Sequence, residues 1–177
     1  FLELNRIVRE QGVEAALAYV TSQQSRLLER AESLNAKKRR ILAPLLEGVR
    51  LRRTWGELRQ AEELCDKLLP ADANWPEALH EHFLTQIELG DRALRYETLS
   101  SAKARFESAH ASAEHLLKID GSNPVWQRDL FISYEKLGNV SLRAGQVTEA
   151  LGHYQKGLEI SQKRADADPT DAQAQRD

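Results

Sequence analysis

The sequence predicts an all-α fold, a solenoid of antiparallel helix pairs, and three observations carry that prediction. The chain repeats itself at an interval of 48 residues: Phe83, Leu89-Gly90, Leu94-Arg95 and Ala102 fall on Phe131, Leu137-Gly138, Leu142-Arg143 and Ala150 without a gap. Further on, Phe106 falls on Tyr154 and Gln127-Arg128-Asp129 on Gln175-Arg176-Asp177. Within each unit apolar residues recur at three- and four-residue spacing, the mark of one buried helical face. Glycine, proline and N-capping residues stand between those segments, where helices start and stop. A fixed period in this range describes units that cannot bury their apolar faces alone and so stack into an array.

The elements follow in order. Residues 1–40 are expected to form a degenerate or truncated helical hairpin, with Phe1–Gln11 as the remainder of its first helix. Its second helix starts in Gly12-Val13-Glu14-Ala15-Ala16-Leu17-Ala18-Tyr19 and ends near Leu34. Residues 41–75 make a repeat whose first helix carries Pro44 in its opening turn or at a kink. Gly56 then leads to Ala61, with Leu64, Cys65 and Leu68 continuing the apolar stripe. Residues 76–123 hold helices over about 77–96 and 99–119, the first capped by Asn74, with a turn that lacks glycine. Residues 124–171 hold a helix capped by Ser122 or Asn123 and opened by Pro124, where a missing N–H costs nothing. It ends near Ala144-Gly145, a place for a left-handed glycine cap. The last helix runs from about Thr148 to Ala167, with Ala150, Leu151, Tyr154, Leu158 and Ile160 on its apolar side. Residues 172–177 begin a further repeat. Gly90 and Gly138 sit inside helices, each at a cost of about 1 kcal/mol against alanine, which predicts a close helix crossing with Ala102 and Ala150 as small partners.

These residues resemble a known family. Tyr134-x-x-Leu137-Gly138, then Ala150-x-x-x-Tyr154 with Pro169 beyond, is similar to the tetratricopeptide repeat signature, and so is Leu89-Gly90 with Ala102-x-x-x-Phe106. The unit from residue 76 departs from it at Gln86, where the family often has an aromatic residue. At 48 residues the repeat is longer than the family's usual length of about 34. The resemblance implies a right-handed superhelix in which the first helix of each unit lines a concave groove.

Composition narrows the function classes. Net charge is −2, which gives no general attraction to nucleic acid or anionic membranes. No apolar run approaches the roughly 18–20 residues of a membrane span, and the amphipathic start FLELNRIVREQG is no signal peptide. Cys65, the only cysteine, fits a reducing, cytoplasmic setting and a small core residue. The sequence has no methionine and stops within a repeat, from which a fragment of a longer protein is expected.

The candidate chemistry is binding. His80 and His82 point to different faces of a helix, His110 and His115 are five apart, and no H-E-x-x-H, C-x-x-C, P-loop or G-x-S-x-G occurs. Neither metal, cofactor nor catalysis is expected. Lys37-Lys38-Arg39-Arg40 reads as a solvated corner after a helix end, and the lack of interleaved aromatics argues against nucleic acid. Trp55, Trp75 and Trp126 read as packing residues between units. By the family resemblance, the groove residues are Arg50, Arg53, Asp91, Arg95, Glu135, Asn139 and Arg143. Arg95 and Arg143 hold equivalent places and suit carboxylates or phosphates. The competing reading has Asp91, Arg95, Glu135 and Arg143 pairing with one another across units. The expected function is therefore non-catalytic protein–protein interaction, a scaffold that takes an acidic peptide or helix from a partner protein. The rivals are self-association through exposed repeat ends and an intramolecular regulatory arm of a larger signalling protein.

Overall fold

The computed structural model describes Arg6 and residues 33–167 of the 177-residue chain. The chain divides into two compact units, Phe1–Ala43 and Pro44–Asp177. Of the first unit, residues 33–43 are helical and mostly exposed. The Lys37-Lys38-Arg39-Arg40 run is therefore solvated, but it lies within a helix and not at a corner, and the helix end expected near Leu34 is absent. The rest of the hairpin expected over 1–40, and the repeat start at 172–177, lie outside the described residues.

The described part of the second unit is helix and turn, with no strand. Its elements are α1 (44–54), α2 (Leu58–Ala71), α3 (Pro76–Tyr96), α4 (Leu99–Ile119), α5 (Pro124–Arg143) and α6 (Val147–Ala167). No described helix is long and apolar enough to cross a membrane. The helical run is unbroken from residue 33 to 54, α1 being its part from 44 on, so Pro44 is not in an opening turn.

The helix ends follow local chemistry. Asn123 caps α5 through its side-chain oxygen, which accepts from the Val125 and Trp126 amides. Pro76 and Pro124 occupy the first turns of α3 and α5. The cap of α3 is Trp75, without a side-chain hydrogen bond, and not Asn74. Asn74 instead donates its amide to Asp72 and places its Oδ1 2.8 Å from His115 Nε2. Gly56 and Gly145 close α1 and α5 at φ of 76° and 77°, the left-handed region that only glycine enters freely. The α3–α4 turn manages without glycine because Thr98 caps α4, accepting from the Ser101 amide at 3.0 Å.

Consecutive helices pack as antiparallel neighbours. Early residues of α3 meet late residues of α4, and late residues meet early ones: His82 meets Ser112 and Phe83 lies with Ala109 and Ala113, whereas Ala93 lies with Ala102. The α5–α6 pair repeats this plan, with Phe131 against Gly157 and Gly138 against Tyr154. The core runs through both hairpins and α2: Leu58, Ala61, Cys65, Leu68, Phe83, Phe106, Leu116, Leu137 and Val140 are buried. Burial pushes the Cys65 thiol pKa up to about 12, so it is an inert core group. On α6 the apolar side is divided. Ala150 is buried and Ile160 half-buried, whereas Leu151 and Leu158 are exposed.

The mid-helix glycines explain the close crossing, though with a different partner from the one expected. A Cβ on Gly90 would lie 2.3 Å from the Phe106 ring, and one on Gly138 would lie 2.5 Å from the Tyr154 ring. The aromatic ring fills the space left by the missing side chain; Ala102 instead joins Ala93 and Phe106 in the adjoining core. Since Phe106 is wholly buried, its ring cannot swing into solvent. We predict that Gly90→Ala destabilises the protein by about 1–3 kcal/mol through overpacking, despite alanine's advantage of about 1 kcal/mol in helix propensity. Adding Phe106→Leu should recover part of the loss. Urea unfolding measures both, and a Gly90→Ala protein more stable than the wild type would refute the crossing as the glycine's reason.

Candidate functional site

The first helices α1, α3 and α5 lie side by side and parallel, tied by ion pairs whose numbering rises together. From α1 to α3, Arg50 Nε donates to Glu81 at 2.8 Å, and Arg53 Nη1 donates to Glu88 at 2.7 Å. Arg53 Nε also reaches Glu81 at 3.2 Å, so one buried carboxylate accepts from two guanidinium groups. The pKa of Arg50 is held above its ordinary value, chiefly by the Glu81 hydrogen bond. From α3 to α5, His80 Nδ1 lies 2.8 Å from buried Asp129, and Lys136 donates to Asp91 at 2.6 and 2.8 Å.

The expected groove residues thus separate into two groups. Arg50, Arg53 and Asp91 serve as ties between neighbouring first helices. The cross-unit pairing expected for Asp91 does occur, but with Lys136 in place of Glu135, Arg95 or Arg143. Asn139 belongs to its own hairpin, where Oδ1 accepts from Tyr154 Oη at 2.8 Å. Arg95, Glu135 and Arg143 are exposed and make no hydrogen bond or ion pair among the described residues.

A cleft of about 140 Å³ opens at the starts of α3 and α5, beside the second half of α1, lined by Arg50 of α1, Pro76, Glu77 and His80 of α3, and Trp126 of α5. The sequence reading missed this site because it assigned Trp126 to packing. A signal was present: Trp126 stands 48 residues after Ala78, which is fully buried, so the repeat has a large aromatic where its predecessor has a small core residue. Trp126 is half-buried and faces the cleft; Trp75 is buried as expected; Trp55 is largely exposed and packs between no units. A larger opening of about 390 Å³ lies between the start of α4 and the end of α5. Lys103, its charged lining residue, is already held by Glu149 at 2.9 Å.

Behind this face lies a buried polar network. Gln86 Nε2 donates to Glu62 at 2.9 Å and lies 3.3 Å from His82 Nε2, while Arg105 donates to Gln86 Oε1 and to Glu62. His82 Nδ1 meets Ser112 Oγ at 2.7 Å. Since the Gln86 amide donates, His82 Nε2 must accept, and the network fits a neutral ring protonated on Nδ1. Gln86, the departure from the aromatic pattern, is therefore the centre of the α2–α3–α4 contact. His110 meets Ser133 Oγ at 2.9 Å, and the His110, Tyr134 and His153 rings lie in sequence between α4, α5 and α6. No group of three or more His, Cys, Asp or Glu side chains among the described residues could hold a metal ion.

Comparison of the chain with protein-family models, with curated proteins and with solved structures found no match in any of the three.

Burial lowers the pKa of His82, His110 and His153, in His110 with further lowering from nearby His153 and Lys156. A histidine whose pKa is lower folded than unfolded binds more protons in the unfolded chain, so stability rises with pH in that window. The stabilisation is complete above the unfolded value of about 6.5 and is lost as pH falls toward the folded values. Asp120 and Glu149, held below the usual carboxylate range by Ser122 and by Lys103, act only at lower pH. We predict that the urea midpoint falls from pH 7.5 to 5.5, and falls less steeply in His82→Gln. A flat midpoint across that window would remove the buried neutral histidines from the account.

Proposed function

We propose that this array is a non-catalytic protein-interaction module that takes a peptide or helix of a partner protein on the face made by α1, α3 and α5. The observation that carries the reading is the cleft, because α1, α3 and α5 each contribute side chains to one opening. A surface composed across successive repeats is what a solenoid offers to an elongated ligand. The exposed, unpaired Arg95, Glu135 and Arg143 extend that face toward the other end of the same helices. Guanidinium groups without an internal carboxylate are available for a partner's carboxylates. The resemblance to tetratricopeptide repeats, with a right-handed superhelix and a concave groove, belongs to the same proposal.

A second reading has its own observation. Val147, Leu151 and Leu158 of α6 are 63%, 55% and 67% exposed. They hold the places of Leu99, Lys103 and His110 on α4, the helix that packs against α5, where His110 bonds Ser133. An apolar face in the position that elsewhere receives a helix favours self-association.

The test is binding of the protein to a peptide array at two salt concentrations, beside an Arg95→Glu/Arg143→Glu variant with unchanged circular dichroism. Salt-sensitive hits that are lost in the variant are expected. Equal behaviour of the two proteins would overturn the groove reading, and a mass that rises with protein concentration would then favour self-association.

A further inference from the structure

We propose that the Trp126 cleft receives a basic side chain, a lysine or arginine of the partner peptide. This rests on the groove reading above and adds the chemistry of one anchor. The wall of the cleft looks cationic in sequence, because Arg50 lines it, but its charge is already neutralised. Arg50 Nη1 donates to Glu47 at 2.6 Å, and Arg50 Nε donates to Glu81. Around the opening the two guanidinium groups, Arg50 and Arg53, stand against four carboxylates, Glu47, Glu77, Glu81 and Asp129. The balance remains negative even with His80 protonated. Arg128, two positions beyond Trp126, lies on the opposite side of α5 and does not correct it.

Three groups in the cleft can receive a cation. Glu77 is exposed and makes no hydrogen bond or ion pair among the described residues, so its carboxylate is available for a charge-assisted bond. Asp129 is acceptor-only, so His80 Nδ1 donates to it, and in the tautomer with its proton on Nδ1 the ring keeps Nε2 as an acceptor. Trp126 lines the cleft, and indole is the strongest of the aromatic partners for an ammonium or guanidinium group. The cleft, about 140 Å³, has the room of about four or five waters, which suits one long side chain and not a folded segment.

The unpaired arginines lie toward the other end of the face. His80 and Arg95 are fifteen residues apart on α3, about 22 Å along a helix. An extended peptide covers that span in about six or seven residues. The ligand inferred is therefore a segment with a basic residue at one end and acidic residues about six or seven positions away.

The experiment uses synthetic peptides of a glycine–serine–alanine background. Each carries an Asp-Glu pair and, about six or seven positions away, a single Lys, Arg, Gln or Glu. Affinity is measured for the wild type and for Glu77→Gln, Trp126→Ala and Arg95→Glu/Arg143→Glu. The expected result is that Lys and Arg peptides bind about tenfold tighter than the Gln peptide, and that Glu77→Gln and Trp126→Ala each remove most of this preference. Glu77 is exposed, so its variant keeps the test decisive if Trp126→Ala unfolds. If Gln or Glu peptides bind as well as Lys peptides, or if Glu77→Gln leaves the preference intact, the anchor is wrong. If Arg95→Glu/Arg143→Glu still abolishes binding in that case, the groove reading survives without it. If no peptide binds, both fail.

Discussion

The contact on which the rest of the array depends is an aromatic ring laid against a helix backbone. Phe106 on Gly90 and Tyr154 on Gly138 set how closely the two helices of a hairpin approach. Each ring occupies the volume that any Cβ would need, so the interhelical distance is fixed by exclusion as well as by attraction. The glycine weakens its own helix by about 1 kcal/mol, and burial of the aromatic side chain offsets this by about 1.5–3 kcal/mol. With the hairpins closed in this way, Ala93, Ala102, Leu137 and Val140 come together as a core shared between successive hairpins. That core holds α3 and α5 in the register that the candidate site requires.

Polar ties refine that register without being copies of one another. Arg50 and Arg53 meet on Glu81 between α1 and α3, whereas His80 meets Asp129 and Asp91 meets Lys136 between α3 and α5. The partially exposed pairs contribute little stability individually, about 0–1 kcal/mol. Their effect is directional: a parallel pair of helices slipped by one turn would separate every partner and leave Glu81 and Asp129 buried without their hydrogen-bond donors. The ties also decide which charges remain for a ligand. A guanidinium that already holds two carboxylates, as Arg50 does, is part of the wall; Arg95 and Arg143 have no such commitment.

Much of the fold was legible because helix ends and repeats are local. The boundaries of α4 and α6 and the glycine closure at Gly145 follow from capping chemistry and spacing. Where the reading failed, the deciding contact was long-range. Asn74 has the composition of a cap, yet it meets His115 across the hairpin. Ala102 has the size of a crossing partner, yet the ring one turn later fills the gap. The site was legible only in outline. The family resemblance put the groove residues on α1, α3 and α5 but could not separate Arg50, tied to Glu81, from unpaired Arg95, since the partner lies 31 residues away in one case and is absent among the described residues in the other. Asn139 was assigned to the groove by family analogy, whereas its bond to Tyr154 belongs to the chemistry of its own hairpin.

The cleft's place on rigid elements bears on how strongly such a surface can bind. Trp126 is anchored where Asn123 accepts its backbone amide, and His80 is oriented by a buried carboxylate. Little protein entropy is then lost on binding, and the ordering cost falls mainly on the ligand. A cation on an exposed indole face contributes about 0.5–1 kcal/mol, and an exposed ion pair contributes about as much at best. One anchor of this size gives a preference between side chains but not a stable complex. Contacts at both ends of the face, each weak alone, combine through effective concentration when a single peptide spans them. For the proposed peptide the length of α3 and α5 would matter in its own right: the helices that hold the cleft at one end also present the unpaired arginines toward the other, and the hairpins that carry them are closed by the glycine–aromatic contacts.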